Sequence, residues 1–336
     1  MRVSPPFWPT VRRLGVAAEV TEVLITDCDM GPADLEREIL TAAGLELTHL
    51  ACGTAADVIE QANAHRASGL LVQYAPIDRA VFEGCPQLRA VVRYGVGLDN
   101  VDLEAAAEHG VAVAGVRDYG TNEVADQATA LMLALLRRLP EWSAATRAGG
   151  WPARGAIADP LELATCALGL FGFGAIARAV ARRAAAFGMR VLAHDPYAPA
   201  EAFAASGVEG VGWDRLWSEA TVVSLHAPLT AETAGTVNAA ALGRMPPGGF
   251  LVNTARAGLV DRDALTAALD DGSLGGAGLD VWWTEPADPN DPLLRHPRVL
   301  VTPHVAWLSP GAIRRLRTGA ARQLLALLRP TPTEQD

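Results

Sequence analysis

The chain of 336 residues is long enough for two domains of ordinary size. Half of its residues are hydrophobic and a fifth are charged, which is the balance of a globular protein in water. A formal net charge of −10 argues against nucleic acid and anionic membrane surfaces as main partners, and no apolar run reaches the length of a membrane span.

The residue types that are missing or isolated restrict the chemistry. All 28 basic residues are arginine, so a lysine Schiff base is excluded, and a catalytic proton must move through His, a carboxylate, Tyr, Cys or water. The four cysteines, at positions 28, 52, 85 and 166, lie far apart, without a CxxC or a His pair at ligand spacing. We therefore expect free thiols in a reducing cytoplasm and no metal site.

The predicted elements begin after an N-terminal extension at residues 1–20, which has no apolar core of a secretory signal. Short apolar, β-branched runs predict strands at 23–26, 70–74, 90–94, 111–114, 168–172, 190–194, 222–226, 250–253, 278–281 and 299–302. Helical patterns lie between them at 34–43, 123–137, 176–187 and 264–269. This alternation is typical of an α/β protein with parallel sheets covered on both faces.

A domain boundary is predicted near residue 120, in the loop 115–121. The helix that follows, within NEVADQATALMLALLRRLP (122–140), has apolar positions all round, which predicts a helix buried between two domains. Residues 149–160 are rich in Gly, Ala and Pro and predict a surface connection into the second series of strands.

The sharpest local motif is LGLFGFGAIA (168–177), a GxGxxA pattern between a predicted strand and a predicted helix. Gly172 would allow the tight turn, Gly174 would let the backbone approach a pyrophosphate, and Ala177 is small enough for close helix–strand packing. The free N–H groups at the start of the helix would face the phosphates.

Asp195 follows the next strand, at the position where a carboxylate would accept hydrogen bonds from ribose hydroxyls. No arginine follows it in His194-Asp195-Pro196-Tyr197, so nothing there would hold a 2′-phosphate. The motif therefore favours NAD over NADP.

Polar segments then follow successive strands, at the edge where open parallel sheets bind ligands. Arg256 could hold a carboxylate through two parallel hydrogen bonds; the alternative is a surface arginine. Glu285 and His304 end neighbouring strands, so the carboxylate could fix the tautomer of the imidazole and stabilise its protonated form. Taken alone, the position of His304 favours a buried histidine beside Trp307 over a catalytic residue.

These residues resemble the D-isomer-specific 2-hydroxyacid dehydrogenases along nearly the whole chain. The matching segments are YGVGLDNVD (94–102), EVADQA (123–128), GLFGFGAIA (169–177), SLHAPLT (224–230), NTARAGLVD (253–261), GLDVWWTEP (278–286) and TPHVAWLS (302–309). Within that family, ITDCD (25–29), VQYAP (72–76), VVRYGVGLDN (91–100) and the Trp of PHVAWLS are similar to the C-terminal-binding-protein-like branch.

The resemblance implies a role for each matching residue. Arg256 would bind the substrate carboxylate and polarise the carbonyl, with His304 as acid/base and Glu285 as its partner. Asp195 would hold the adenosine ribose and Asp280 the nicotinamide amide. The residues expected at the NAD cofactor are Gly172, Phe173, Gly174, Ala175, Ile176, Asp195, His226, Ala227, Pro228, Thr233, Thr254, Ala255, Asp280 and His304.

The substrate site is expected to combine Arg256 with the backbone of Val96 and Gly97. Tyr74, Arg93 and Trp307 are candidates for the substrate side-chain pocket, although each could also be an ordinary packing residue. Arg93 beside Arg256 would suit a dicarboxylate or phosphonate substrate. Three residues depart from the family pattern: Ala257 stands where Gly is usual, Asp126 where many relatives carry Glu, and Leu308 where Tyr is common.

The predicted architecture consists of two Rossmann-like domains with the active site in the cleft between them. Residues 21–118 and 309–336 form a flavodoxin-like substrate domain, and residues 119–308 form the inserted NAD-binding domain. The predicted activity is reversible hydride transfer between NADH and C2 of a 2-oxo acid, giving a D-2-hydroxy acid. The alternatives are a formate-type dehydrogenase, which needs no acid/base, and an NAD(H)-sensing, corepressor-like binding protein. By resemblance, a homodimer is expected, with the helix at 123–137 near its interface.

Overall fold

The computed structural model describes residues 22–329, so the predicted extension at residues 1–20 lies outside the described residues. The strands are β1 (Glu22–Ile25), β2 (Glu46–His49), β3 (Ala67–Val72), β4 (Ala90–Arg93), β5 (Ala112–Gly115), β6 (Ala167–Phe171), β7 (Arg190–His194), β8 (Glu209–Gly210), β9 (Val222–Leu225), β10 (Gly249–Asn253), β11 (Leu274–Leu279) and β12 (Val299–Val301). The helices are α1 (Asp34–Thr41), α2 (Ala55–Ala64), α3 (Arg79–Gly84), α4 (Leu103–Glu108), α5 (Thr121–Leu136), α6 (Leu139–Arg147), α7 (Ala175–Ala186), α8 (Ala200–Ala205), α9 (Trp213–Glu219), α10 (Ala239–Leu242), α11 (Arg262–Asp270) and α12 (Pro310–Leu328).

The chain divides into two compact units: one runs to Tyr119 and resumes at Ser309, and the other comprises Gly120–Leu308. The second unit is therefore inserted in the sequence of the first, and the predicted boundaries differ from this division by one residue. Among residues 22–329, no helix combines the length and the apolar character that a bilayer crossing requires.

The first unit contains a five-stranded parallel sheet in the order β2-β1-β3-β4-β5. This is the flavodoxin-like order, as predicted. Its central strands are buried runs such as Leu70–Val72 and Val91–Val92, because helices cover both faces. Helix α12 packs against β3 and β4, and a Cβ on Gly69 would lie 2.9 Å from Leu328 Cδ1, so glycine lets this helix approach closely.

The second unit contains a seven-stranded parallel sheet in the order β12-β11-β10-β9-β6-β7-β8. The order reverses between β6 and β9, which makes the carboxyl ends of these strands the switch point where doubly wound sheets bind ligands. Two apolar clusters cover the two faces, one around Trp217 and Leu251 and the other around Leu170 and Phe250.

The prediction that the helix after residue 120 is buried on every side is wrong. Helix α5 packs its inner face on α7, β10 and β11, whereas Asn122, Asp126 and Ala130 are exposed. Glycines explain the close approach, since a Cβ on Gly278 would lie 3.0 Å from Leu131 Cβ. Strand β11 begins at Leu274, four residues before its predicted start at 278, and these glycines conceal it in the sequence.

Candidate active site

The turn between β6 and α7 has the geometry that the glycine motif predicts. Gly172 has φ +85°, and a Cβ there would lie 2.7 Å from the backbone nitrogen of Ala227, so the position requires glycine. Gly174 is the N-cap of α7 without a side-chain cap, and nothing lies within 4 Å of its Cβ position. The first N–H groups of α7 therefore face open space beside Gly174 and Ala175, which fits a pyrophosphate.

Asp195 lies beside this turn, directly after β7. Its Oδ2 accepts a hydrogen bond from the N–H of Phe173 at 2.8 Å, and its Oδ1 accepts one from Tyr197 at 2.9 Å. The Phe173 ring stacks on Phe203 with centroids 4.8 Å apart. The carboxylate is partly exposed and keeps acceptor capacity for ribose hydroxyls. These residues fit NAD, and a carboxylate at this point would repel a 2′-phosphate.

The loop after β9 approaches the same turn from the switch point. Ala227 is buried against Gly172, and Pro228 is exposed. Thr233 Oγ1 donates to the Pro228 carbonyl at 2.6 Å and thereby closes the loop. His226 Nε2 lies 2.9 Å from Ser224 Oγ, and burial of the ring lowers the pKa of His226 to about 4. His226 is therefore a neutral hydrogen-bonding group at the expected cofactor site.

Asn253 shapes the loop that carries Arg256. This buried amide accepts from Ala255 N at 3.0 Å and donates to the Arg256 carbonyl at 2.9 Å. Ala257 begins a short 3₁₀ helix, and its φ is not among the positive values, so the departure from glycine brings no backbone strain. The Thr254 hydroxyl is buried without a hydrogen-bond partner, so it could accept or donate to a bound cofactor.

His304 adopts an unusual backbone conformation, with φ +55°. Asp280, the buried residue directly after β11, holds it there. The Asp280 carbonyl accepts from His304 N at 2.7 Å. Its carboxylate accepts from Thr302 Oγ1 at 2.5 Å, from Val305 N at 3.0 Å and from Ala306 N at 2.9 Å. The predicted contact of Asp280 with nicotinamide stays a prediction, but its function in shaping this loop is evident from these bonds.

Glu285 and His304 form a direct pair. The imidazole Nδ1 lies 2.7 Å from Glu285 Oε2, and the side chains are 39% and 40% exposed. Burial alone would raise the pKa of Glu285, but hydrogen bonds from His304 and from Trp282 N–H, with the charges of His304 and Arg256, hold this pKa below its usual value. Glu285 is thus an ionised acceptor, so Nδ1 carries a hydrogen and Nε2 is left to face a substrate. His304 is not the buried core residue of the alternative interpretation.

The remaining substrate candidates lie at the strand ends of the first unit, apart from Trp307, which is partly buried beside Gly120 in the second unit. Tyr74 and Val96 are 62% and 57% exposed. Arg93 Nε donates to the Gln73 carbonyl at 3.2 Å, and the Arg93 side chain crosses Gly95, whose φ is +141°. Gly97, next to Val96, is partly exposed.

Sequence reasoning missed several residues that hold these loops. Asn253 could have been found as the first residue after a buried strand. The backbone N–H of Trp282 bonds Glu285, the Trp282 indole bonds Asp291 and the Trp283 indole bonds the Val260 carbonyl, and nothing in the spacing of these residues indicates these bonds. Within residues 22–329 no group of three or more His, Cys, Asp and Glu side chains has an arrangement that could hold a metal ion.

Comparison with known proteins agrees with this geometry. Residues 129–306 match the family described as D-isomer specific 2-hydroxyacid dehydrogenase, NAD binding domain. The chain is 40% identical over 256 residues to a glyoxylate reductase of Korarchaeum cryptofilum, and this alignment covers 76% of this chain and 77% of that relative. It is also 41% identical over 260 residues to a D-3-phosphoglycerate dehydrogenase of Mycobacterium leprae. This alignment covers 77% of this chain and 48% of that longer relative.

A solved structure shows the same similarity in three dimensions. The D-lactate dehydrogenase of Aquifex aeolicus, complexed with NAD and lactic acid, aligns with a TM-score of 0.81 at 26% identity. The alignment covers 92% of this chain and 95% of that one.

Proposed function

This chain belongs to the D-isomer specific 2-hydroxyacid dehydrogenases and is an NAD-dependent oxidoreductase, and we propose that it interconverts a small 2-oxo acid and the D-2-hydroxy acid. The observation that carries the proposal is the 2.7 Å pair of Glu285 and His304 in the unit that also carries Arg256 and the nucleotide turn. A formate-type reaction would leave this pair without a purpose, because no alcohol proton is exchanged.

The residues divide the work as follows. Arg256 holds the substrate carboxylate with its planar guanidinium and draws electron density from the neighbouring carbonyl. NADH, when bound, supplies the hydride that reduces C2. His304, protonated on Nε2, donates a proton to the oxygen on which negative charge develops, and Glu285 stabilises the imidazolium through Nδ1. In the oxidation direction the same nitrogen accepts the proton.

The cofactor would be held by the residues that surround the glycine turn. The N–H groups at the start of α7 would bind the pyrophosphate, and Asp195 would accept hydrogen bonds from the adenosine ribose. Neutral His226 and the unpartnered Thr254 hydroxyl offer further hydrogen bonds. The location of the active site between the two units stays a prediction.

An experiment on the unmodified protein tests the activity. Mixed with NADH and glyoxylate or pyruvate, the protein should oxidise NADH, and chiral chromatography of the pyruvate product should identify D-lactate. Formation of the L-isomer, or oxidation with NADPH in preference to NADH, would contradict the proposal.

We propose a neutral side chain on the substrate, in place of the second anionic group that Arg93 suggested. The Asp29 carboxylate accepts hydrogen bonds from Gln73 Nε2 at 2.6 Å and from the Tyr74 hydroxyl at 3.4 Å. The charges of Asp29 and Arg93 both act on the Tyr74 hydroxyl. Burial and then the charge of Asp29 raise the pKa of Tyr74, so the carboxylate dominates over the arginine there. An anionic substituent near Tyr74 would meet this carboxylate, so kcat/KM for oxaloacetate should fall below that for pyruvate.

We also propose membership of the C-terminal-binding-protein-like branch. Support comes from contacts between its two motifs in the first unit: Asp27 of ITDCD accepts from Gln73 N, Tyr74 N and Ala75 N of VQYAP. The alternative function, an NAD(H)-sensing, corepressor-like binding protein, would require tight NADH binding without turnover of any 2-oxo acid. Turnover in the experiment above favours the enzyme.

Homodimerisation is proposed on the surface of α5 and α7. Exposed Phe187 and Ala130, with partly exposed Leu133, form an apolar groove between these helices, bordered by Asp126 and Arg183. Such a face suits a second copy of the chain. Sedimentation equilibrium of the wild type should give twice the mass of one chain. The double substitution Leu133→Asp and Phe187→Asp should lower the measured mass to that of one chain.

A further inference from the structure

Two hydrogen bonds link Asp291 through Trp282 to the carboxylate oxygen of Glu285 that does not contact His304. The indole Nε1 of Trp282 donates to Asp291 Oδ2 at 2.9 Å, and both side chains are buried. The backbone N–H of Trp282 in turn donates to Glu285 Oε1 at 2.9 Å, while Oε2 is taken by His304. Each carboxylate oxygen of Glu285 is therefore oriented by one donor.

The same segment is tied to the loop that carries Arg256. Trp283 Nε1 donates at 3.0 Å to the carbonyl of Val260, the C-cap of the 3₁₀ helix whose N-cap is Arg256. Arg262 lies over the Trp283 ring at 5.7 Å and donates to Asp291 Oδ1 at 2.7 Å. Asp291 thus receives Arg262 on one oxygen and Trp282 on the other.

We propose that Trp282 and Asp291 are positioning residues for the proposed reaction. Their bond fixes the backbone that orients Glu285 toward His304, and Trp283 with Arg262 couples this backbone to the Arg256 loop. The inference rests on the proposed function for its catalytic consequence, but the geometry it describes can be tested without catalysis.

The physical basis is the exposure of the pair itself. Glu285 and His304 are each about two-fifths exposed, so packing around their own side chains is not enough to hold them in one geometry. Because the Asp291 carboxylate is buried, water does not compete for its bond with the indole N–H of Trp282. This bond restrains the Trp282 backbone, whose N–H in turn orients the exposed Glu285 carboxylate. Misplacement of a catalytic group by about 1 Å can lower the rate by roughly a hundredfold.

Two substitutions remove the bond from either side. Trp282→Phe keeps an aromatic ring but has no N–H donor. Asp291→Asn keeps Oδ1 for Arg262 and for the N–H of Leu293 but places an NH₂ group against the indole N–H. In both variants the N–H bond from Trp282 to Glu285 should weaken, so the pKa of the Glu285 carboxyl should rise toward its usual value.

The experiment is a carbon-13 NMR titration of the glutamate carboxyls in the intact protein, with Glu285 assigned by Glu285→Gln. Its pKa should be higher in each single variant than in the wild type, and the double variant should match the singles because all three lose one bond. In parallel, kcat for 2-oxo acid reduction should fall about tenfold, the acidic limb of the kcat/KM profile should move to higher pH, and the NADH Kd should be unchanged.

Trp217→Phe is the matched control. Trp217 is a fully buried tryptophan of the same unit whose Nε1 has no hydrogen-bond partner, so its loss should lower Tm without moving the Glu285 titration. The inference is overturned if Trp282→Phe and Asp291→Asn behave like this control, or if their effects on the titration add in the double variant. A wild type that turns over no 2-oxo acid would instead overturn the proposed function, while the titration still decides the inference.

Discussion

His304 occupies a backbone conformation that an unbranched L-residue adopts at a cost of about 1–2 kcal/mol. The bonds from the loop to the Asp280 carboxylate and carbonyl offset this cost and hold the imidazole at the tip of β12. Burial raises the pKa of Asp280, although the bonds from Thr302, Ala306 and Val305 and the charge of His304 oppose it. The backbone strain is thus located at His304, the residue that donates or accepts the proton in the proposed reaction.

Asp280→Asn tests this dependence. An amide can replace one carboxylate oxygen but turns an NH₂ donor toward a backbone N–H, so the loop should lose about 1–3 kcal/mol of stabilisation. Turnover should fall more than NADH affinity does. Asp288→Asn, an exposed substitution in the nearby loop, is the control and should change neither. Normal turnover in Asp280→Asn would show that the loop does not need this carboxylate.

His226 provides a pH-dependent contribution to stability. Its folded-state pKa of about 4 lies below the usual 6.5, so the unfolded chain binds a proton at this residue between these pH values and the folded chain does not. The contribution of His226 to the free energy of unfolding is therefore at its full value above pH about 6.5 and decreases as the pH falls toward 4. The shift corresponds to about 3 kcal/mol at most, because the residue keeps some exposure.

His226→Gln should remove this dependence while leaving a hydrogen-bonding group for Ser224. Urea unfolding at several pH values between 4 and 7 measures it as the difference between wild type and variant. The variant should be less stable than the wild type near pH 7 and should approach or exceed it near pH 4.5. Parallel pH profiles of the two proteins would contradict the assignment.

At the scale of elements, the two glycines of the β6–α7 turn are needed for different reasons. Gly172 is needed for its positive φ and for the close contact with Ala227, which are requirements of the fold. Gly174 has an ordinary φ of −75° and open space around its Cβ position, so its absence of a side chain matters only to a ligand.

The pair Gly172→Ala and Gly174→Ala should separate folding from binding. Gly172→Ala should lower the free energy of unfolding by about 2 kcal/mol or more, because the methyl group meets backbone atoms. Gly174→Ala should cost less stability, roughly 1 kcal/mol, because alanine is a poorer N-cap than glycine, but it should weaken NADH binding at least about tenfold. Thermal unfolding and NADH fluorescence titration measure the two effects. Unchanged NADH affinity in Gly174→Ala would place the pyrophosphate elsewhere.

The sequence predicts the elements that carry a strong local pattern. Buried central strands such as β6 and β10 are continuous apolar runs, so their positions follow from composition alone. Strands β2 (ELTH) and β8 (EG) are absent from the prediction because they are short, polar edge strands that exist only through pairing with β1 and β7. The one-sided burial of α5 likewise depends on which neighbours the fold supplies.

The candidate site shows the same division. The pairing of Glu285 with His304 could be predicted because both follow neighbouring parallel strands. The supporting bonds of Trp282 and Trp283 could not, since each indole N–H reaches an acceptor that only the folded loop brings near. Arg93 was expected to attract an anionic substrate, whereas the proximity of Asp29 became visible only in the structure.

At the scale of the whole chain, the first unit is closed by its own C-terminal helix. Arg317 of α12 donates to both carboxylate oxygens of Glu36 in α1, at 2.8 and 2.6 Å, and also to the carbonyls of Met30 and Pro32. Tyr94 OH donates to Glu36 at 2.9 Å. All three side chains are buried, so the returning segment after Ser309 completes the unit that the first 119 residues begin.

Arg317→Met should therefore be costly, because Glu36 would be left buried without its partner. We expect a loss of about 3–5 kcal/mol in the free energy of unfolding. Arg79→Met is the matched control: Arg79 pairs with Glu108 at the surface, where water and salt screen the charges and such a bond contributes little. Denaturant unfolding compares them, and equal losses would mean that burial does not strengthen the Arg317 pair.

The most direct measurement for the central claim is NADH oxidation by wild type and His304→Ala with glyoxylate, pyruvate and branched 2-oxo acids. The wild type should reduce at least one of them, and His304→Ala should bind NADH with unchanged affinity while kcat falls about 10²–10⁴-fold. Equal turnover in the two proteins would contradict the assignment of His304 as the acid/base and, with it, the proposed mechanism.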